Sequence, residues 1–333
     1  MTMIPAPSYA EIELAAARIR PHIRETPVEE SAALGDAVGA RVWLKCEQLQ
    51  RSGSFKLRGA LNRILTLPPD ALVRGVVTAS TGNHGRAVAT ALTLVGGRGT
   101  VYLPTTAPAA KVAAIRRFPA VDVEIVGDES GATERHARTV ADRAGRFYVS
   151  PYNDPEIIAG QGTIGLELAA QCPPLDAVFA AVGGGGLISG VAIALAGIRP
   201  TTRIIGCWPE NSVAMYESMR AGRVVATEER PTLSDGTAGG IEPGTITLDL
   251  CRSLVQECVL VSEAEIADAL RFMVAEHRMV VEGAAGVAVA AFRRIAPRLA
   301  GQRVAIILCG GNIGGDTLRG ILSRDWDSAR PAT

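Results

Sequence analysis

Lys56 stands beside Phe55 in segment 52–60, which reads SGSFKLRGA and consists largely of small residues. Glycine and other small residues let a flat ligand approach the backbone closely. Lysine loses its charge readily when it is buried, and the neutral amine can then form a Schiff base with an aldehyde. On its own the segment is more typical of a surface turn, but three other glycine-rich segments favour the chemical interpretation.

Four consecutive glycines join an apolar strand to an apolar helix that begins near Leu187, and these are Gly183, Gly184, Gly185 and Gly186. Backbone N–H groups of such a run can converge at a helix N-terminus, where they bind an anion. No lysine follows as in a P-loop, and no GxGxxG motif is present, so the predicted anion is the phosphate of a small cofactor. Four glycines in a row cost so much chain entropy that phosphate binding is favoured over a merely tight turn.

Two more strand ends carry polar groups. The first is followed by Ser80, Thr81, Gly82, Asn83 and His84. This loop suits a carboxylate and a ring hydroxyl, although Ser80 and Thr81 are also typical helix caps, and His84 is more typical of a structural imidazole than of a catalytic base. The second strand is wholly apolar and ends at Cys309, which reads either as a weak donor or as a small buried hydrophobe.

Composition limits the class of partner. Of the 333 residues, 47% are hydrophobic and 4% aromatic, and Lys+Arg 34 balance Asp+Glu 34. Zero net charge gives no reason to expect nucleic acid as a partner. The six cysteines are scattered without a CxxC pair, which is typical of reduced thiols in the cytoplasm. The N-terminus lacks the layout of a signal peptide.

Short β-rich runs alternate with helical patterns, and this indicates βαβ crossovers and parallel sheets. The expected strands are 75–78, 100–103, 121–126, 147–149, 177–180, 203–206 and 304–308. The uncharged stretch 177–198 is long enough for a membrane span, but the four glycines predict a buried strand, a loop and a buried helix. Ser262 to Glu265 is a capping-box signature for a helix through Ala275. The pattern predicts an α/β fold of two lobes, each an open mostly parallel sheet flanked by helices, with a ligand in the cleft between them.

Taken together, these loops resemble those of the fold-type II pyridoxal-phosphate enzymes, and within them the serine/threonine dehydratase (ammonia-lyase) and serine racemase group. The similarity extends to residues 26–27, 45–47, 158–163, 235–240 and 281–286. It implies a fold like that of the tryptophan synthase β subunit. Residues 1–70 and 155–333 would form a large cofactor-binding domain, and residues 71–154 a small mobile domain.

The resemblance also implies roles for single residues. Lys56 would bind the aldehyde of pyridoxal 5'-phosphate and move the proton at the substrate Cα, and Phe55 would flank the ring. Asn83 would bond the ring hydroxyl, Cys309 would face the pyridine nitrogen, and Glu282 would lie near the cofactor. The phosphate would be bound by Gly183, Gly184, Gly185, Gly186 and Leu187. The substrate carboxylate would be bound by Ser80, Thr81, Gly82, Asn83 and His84.

Two positions depart from the pattern of these relatives. Thr81 stands where the racemase has the serine that acts as the second acid/base and where many dehydratases have alanine, so racemisation stays open as an activity. Several relatives bind a divalent cation through a carboxylate pair just after the strand at Arg203. Trp208 and Ala214 occupy those positions here, and neither side chain offers the oxygen ligands of Mg²⁺ or Ca²⁺. Glu210 alone is typical of a solvated charge, so we expect no metal.

The predicted function is a pyridoxal-phosphate-dependent ammonia-lyase that converts a β-hydroxy amino acid such as L-threonine or L-serine to a 2-oxo acid and ammonia. We expect a homodimer with no nucleic-acid or membrane partner. One alternative is a serine or aspartate racemase, and another is a dehydratase for phenylserine, hydroxyaspartate or a hydroxyectoine-derived amino acid. A phosphate-ligand sensor is also compatible with the scaffold, although binding alone does not require Lys56. Because the chain ends soon after Asn312, we expect no regulatory domain.

Overall fold

Alternating strands and helices build two sheets within residues 5–323, the part of the chain that the computed structural model describes. The strands are β1 Val28–Glu30, β2 Arg41–Cys46, β3 Val76–Ala79, β4 Gly99–Leu103, β5 Val121–Ile125, β6 Phe147–Tyr148, β7 Ala177–Ala181, β8 Arg203–Pro209, β9 Glu257–Val261 and β10 Arg303–Leu308. The helices are α1 Tyr9–Ile19, α2 Ala32–Gly35, α3 Lys56–Leu65, α4 Pro69–Arg74, α5 Asn83–Val95, α6 Ala109–Arg116, α7 Ser130–Arg143, α8 Pro155–Gln171, α9 Gly186–Ile198, α10 Ala214–Ala221, α11 Ile246–Leu254, α12 Glu263–His277, α13 Gly283–Ile295 and α14 Gly315–Ser323.

The larger sheet has the order β1-β2-β10-β7-β8-β9. Every pair in it is parallel except β1 with β2, which is antiparallel. Strand β10 lies in its interior, and residues from Val304 to Leu308 are fully buried. Such a strand is covered by helices on both faces, which explains why its sequence is continuously apolar instead of alternating. The mostly parallel α/β architecture predicted from the sequence is confirmed.

The smaller sheet has the order β5-β4-β3-β6, and all of its strands are parallel. Its central strand β3 leads into α5, which begins at Asn83. Asn83 and His84 therefore belong to the first helical turn and not to a free loop. The capping box predicted at Ser262 is present at the start of α12.

Stretch 177–198 folds as β7, the glycine loop and α9, as the glycines predicted. Within residues 5–323, no helix combines the length and the apolar composition that a membrane crossing requires.

The carboxyl ends of three strands carry the polar loops singled out in the sequence. Strands β7 and β10 are neighbours, with Ile306 opposite Phe179, so the glycine loop and Cys309 leave the larger sheet side by side. Strand β3 of the smaller sheet delivers Ser80 and the residues after it. Ligands of open α/β sheets bind at such carboxyl ends.

Candidate active site

Lys56 is the first residue of α3, and its side chain reaches the segment that leaves the smaller sheet. Its Nζ donates a hydrogen bond of 2.7 Å to the carbonyl oxygen of Pro151 and lies 5.2 Å from the centre of the Phe55 ring. Burial lowers the pKa of the Lys56 amine to about 8, although the nearby Cys309 and Glu282 side chains act in the opposite direction. About a tenth of the amine is therefore uncharged at pH 7, and the uncharged form is the one that attacks an aldehyde.

Glu282 lies at the start of α13 and is only 4% exposed. Its carboxyl accepts hydrogen bonds from Asn83 Nδ2 at 2.6 Å and from the backbone N–H of Asn312 at 3.1 Å. Asn312 Nδ2 in turn donates to Asn83 Oδ1 at 2.7 Å. Burial raises the pKa of Glu282 to about 7, and the hydrogen bond from Asn83 opposes the rise. The strand ends of both sheets thus meet in one polar cluster.

Cys309 follows β10 directly and is buried. Its carbonyl oxygen accepts a hydrogen bond of 3.0 Å from the backbone N–H of Phe55, which places the residue next to Lys56. Burial, reinforced by the Glu282 carboxyl, raises the pKa of the Cys309 thiol well above its usual value. The side chain is consequently a neutral, weak donor.

The glycine loop is built so that no side chain can stand in it. Gly185 has a φ of 84°, in the left-handed region that favours glycine. A Cβ at Gly184 would collide with the ring of Tyr152, and one at Gly183 would crowd the backbone of Thr237. Gly185 also offers no side chain to cap α9, so the N–H groups of the first helical turn remain available for another acceptor.

The loop after β3 is only partly exposed, and its histidine is occupied elsewhere. Nε2 of His84 lies 3.0 Å from the carbonyl oxygen of Val149. Burial and the nearby charge of Lys56 lower the pKa of His84 to about 3, so its ring is neutral. Ser80 Oγ accepts a hydrogen bond of 3.2 Å from the backbone N–H of Gly82. An anion at this loop would thus find backbone N–H groups and the Thr81 hydroxyl, but not the imidazole.

The comparisons with known proteins agree with this geometry. Residues 19–310 match the family model described as pyridoxal-phosphate dependent enzyme. The chain belongs to this family. L-threonine ammonia-lyase of Thermotoga maritima is 41% identical over 291 residues, which are 87% of this chain and 72% of that protein. β-Hydroxyaspartate dehydratase of Paracoccus denitrificans is 38% identical over 94% of this chain and 98% of that protein. The structure of maize serine racemase superimposes with a TM-score of 0.89 at 31% identity, over 97% of this chain and 99% of that one.

The residues present in this pyridoxal-phosphate enzyme fit its cofactor. The glycine loop is a cradle that a single Cβ would fill, and it opens a helix whose N-terminus favours an anionic phosphate. Lys56 supplies an amine whose pKa is lowered to about 8. Asn83 and Cys309 would offer a neutral amide and a neutral thiol to the polar atoms of an aromatic ring. The dependence on pyridoxal phosphate that the motifs implied is thereby confirmed.

The two positions that several relatives use for a divalent cation are filled differently in this enzyme. Trp208 is 1% exposed and Ala214 is 5% exposed. Glu210 lies 3.4 Å from Arg294 in an ion pair at the surface. The independence of activity from a cation stays a prediction.

Three residues of the site were not assigned a role from the sequence. Pro151 and Tyr152 leave only a short Pro-Tyr-Asn pattern, yet the Pro151 carbonyl binds Lys56 and the Tyr152 ring covers Gly184. Asn312 carried a usable signal, because an asparagine after two glycines at a strand end is typical of a turn in which the amide side chain forms hydrogen bonds.

Proposed function

We propose that this enzyme dehydrates and deaminates a β-hydroxy amino acid, such as L-threonine or L-serine, to a 2-oxo acid and ammonia. The observation that carries this proposal is Lys56, a lysine whose pKa is lowered to about 8 beside an anion cradle and two neutral ring partners. The relatives named above as a threonine ammonia-lyase and a hydroxyaspartate dehydratase support the same class of reaction.

Pyridoxal phosphate, when bound, withdraws electrons from the substrate Cα and so makes its proton acidic. Lys56 would hold the cofactor aldehyde, and its Nζ would take the proton from the substrate Cα. The phosphate would be held by Gly183, Gly184, Gly185, Gly186 and Leu187. Phe55 would flank the ring, Asn83 would bond its hydroxyl, and Glu282 would fix Asn83 through the 2.6 Å hydrogen bond.

Cys309 favours elimination over other reactions at Cα. A neutral thiol cannot hold a proton on the ring nitrogen as a carboxylate would, and a weaker electron sink favours prompt loss of the β-hydroxyl. The substrate carboxylate would be bound by the loop that contains Ser80, Thr81, Gly82, Asn83 and His84. Within this loop His84 would contribute its backbone N–H, because its ring is bonded to Val149. The Thr81 hydroxyl is the group through which the racemase alternative would act.

The large domain would comprise residues 1–70 and 155–333, and the small mobile domain residues 71–154. The division is supported by the smaller sheet, whose strands all lie between Val76 and Tyr148. We further propose a cytoplasmic homodimer. All six cysteines are free thiols, which suits a reducing compartment. Leu49 and Val280 are 45% and 47% exposed, and neighbouring Gln48 contacts Met279, so the two apolar side chains offer a surface to a second copy.

The test is a substrate panel of L-threonine, L-serine and threo-3-hydroxyaspartate, with 2-oxo acid measured as product and the residual amino acid analysed for chirality. We expect 2-oxo acid from at least one β-hydroxy substrate. Inversion of the residual amino acid without 2-oxo acid would establish the racemase alternative instead. Thr81→Ala separates the two activities, because it should remove inversion, whereas elimination should keep its kcat and show only a higher KM from the lost hydroxyl contact to the carboxylate.

A further inference from the structure

Side chains from several sequence motifs, none of them used in the proposed reaction, contact one another around Arg58, two residues after Lys56. They form a buried ion network that consists of Thr26, Lys45, Glu47, Arg58, Thr163, Glu167 and Gln171. Five of these residues come from four motifs: Thr26 from 26–27, Lys45 and Glu47 from 45–47, Arg58 from 52–60 and Thr163 from 158–163. Their distances along the chain give no sign that they share a contact.

Arg58 is the centre of this network and is fully buried. Its Nε and one terminal nitrogen donate to the two oxygens of Glu47, both at 2.8 Å. Its two terminal nitrogens also donate to the two oxygens of Glu167, at 2.6 and 2.8 Å. Two bidentate pairs fix the plane and the direction of a guanidinium group far better than one charge contact could.

Lys45 supplies the second positive charge of the buried ion network. Lys45 Nζ donates to Glu167 at 2.6 Å, to the Thr26 carbonyl at 2.7 Å and to Gln171 at 2.8 Å. Two cations thus face two carboxylates. Burial opposes the ionisation of Glu47, but the charge and hydrogen bonds of Arg58 outweigh it and hold the pKa of that carboxyl below its usual value.

The network ties α3 to two other elements at the level of Lys56. Arg58 lies two residues after Lys56 in the first turn of α3, Glu47 follows β2, and Glu167 lies on α8. Next to Arg58 the two helices touch backbone to backbone, because a Cβ at Gly59 would meet the Ile157 carbonyl. The first turn of α3 is consequently held from both sides.

Burial of ion pairs gives little net stability, because the loss of solvation offsets most of the attraction between the charges. What a bidentate arginine–carboxylate pair adds beyond packing is a fixed orientation of the groups that it joins. We propose that Arg58, held by Glu47 and Glu167, is a positioning residue that fixes the first turn of α3 and thereby the place of Lys56 Nζ. This inference rests on the proposed role of Lys56.

The test is the double variant Arg58→Met with Glu47→Gln, which removes one buried charge of each sign and leaves the Lys45–Glu167 pair intact. In the full chain freed of cofactor, the rate at which Lys56 reacts with an amine-modifying reagent is followed against pH. The wild type should show a pKa of about 8, and the variant should move toward the ordinary value of 10.5. In the holoenzyme, kcat should fall on the order of 10²-fold with little change in KM, as expected for a reacting group displaced by about 1 Å.

Arg303→Met with Asp176→Asn is the control for the loss of a bidentate ion pair, here a partly exposed one. It removes another bidentate pair, with both contacts at 3.1 Å, which lies at the amino ends of β7 and β10, whereas Lys56 lies at the carboxyl ends of the strands. Its Lys56 pKa and kcat should stay at the wild-type values. Wild-type values in the Arg58 variant would overturn the inference, because packing alone would then place Lys56. If that variant does not fold, Arg58→Lys decides in the same assays, since one ammonium cannot form both forks. A wild type whose Lys56 carries no cofactor would instead refute the proposed function.

Discussion

Two buried polar regions lie side by side in this enzyme and treat charge in opposite ways. In the buried ion network, Arg58 and Lys45 are bonded to Glu47 and Glu167. In the pocket of Lys56, Glu282 and Cys309, the lysine donates to a backbone carbonyl and the glutamate accepts from amides. Charges are retained where they are paired, and the pKa moves toward the neutral form where they are not. Buried charges that are paired, as in the ion network, fix the orientation of their side chains. Buried groups without an ion-pair partner, as in the pocket of Lys56, have shifted pKa values that suit them to chemistry.

The largest expected effect concerns which of the two buried lysines, Lys56 or Lys45, binds the cofactor. Borohydride should fix the cofactor onto Lys56, because burial lowers the pKa of this amine to about 8, and peptide mapping would locate the label. Lys56→Ala should abolish labelling and lower kcat on the order of 10⁴-fold, the upper range for loss of an acid–base group. Recovery of the label on Lys45 or Lys111 would contradict the assignment.

The second prediction compares two buried glutamates by the same substitution. Glu47→Gln should lower the free energy of unfolding by about 3–5 kcal/mol, because the buried Arg58 and Lys45 then share the single carboxylate of Glu167 and one positive charge is left uncompensated. Glu282→Gln should change it by only about 1 kcal/mol near pH 6, because the amide oxygen can still accept from Asn83. Urea denaturation of both variants measures the difference. Equal losses would show that the two regions do not differ in how they hold charge.

A third prediction uses pH to separate the same two carboxyls. The folded protein keeps a proton on Glu282 up to about pH 7, whereas the ordinary value is 4.5. The folded state therefore binds more protons in this window, and the free energy of unfolding should fall by about 3 kcal/mol as pH rises through it. Glu47 acts in the opposite sense, because its lowered pKa gives stability that is lost only as pH falls below 4.5. Buried His84, whose pKa is lowered to about 3, adds stability as pH rises over part of the same range. Unfolding of the cofactor-free wild type is therefore compared with that of Glu282→Gln, and the difference between their free energies of unfolding should fall as pH rises from 4.5 to about 7.

The sequence predicted the elements that carry the site better than the contacts between them. Strands β7 and β10 could be located because buried parallel strands are continuously apolar, and β3 because its run is short and β-branched. The glycine loop and Lys56 could be located because glycine runs and a lysine among small residues are local features. The antiparallel β1 was missed, since three residues with two exposed glutamates carry no apolar pattern.

The features of the site that the sequence did not predict are contacts between residues far apart in the chain. Nothing local links Arg58 to Glu167, which is 109 residues away, or Asn83 to Glu282, which is 199 residues away. His84 shows the same limit, because only the fold reveals that Val149 occupies its ring. Pairing between remote side chains depends on the topology of the sheets, and a single sequence does not contain it.

The smallest expected effect concerns the positions where several relatives bind a cation. A cation there would pair with carboxylates, as Arg58 does in the buried ion network. Trp208 instead is a neutral indole that lies against Gly206, and its ring centre is 5.8 Å from that of Tyr216. With no carboxylate at Trp208 or Ala214, a divalent ion finds too few oxygen ligands. Treatment with a chelator should leave both kcat and Tm unchanged, and added Mg²⁺ should restore nothing. A Tm that falls with chelator and recovers with Mg²⁺ would reveal a cation site elsewhere in the chain. Trp208→Glu with Ala214→Asp sharpens the test, because restored carboxylates should make Tm respond to Mg²⁺ if the indole has replaced the ion.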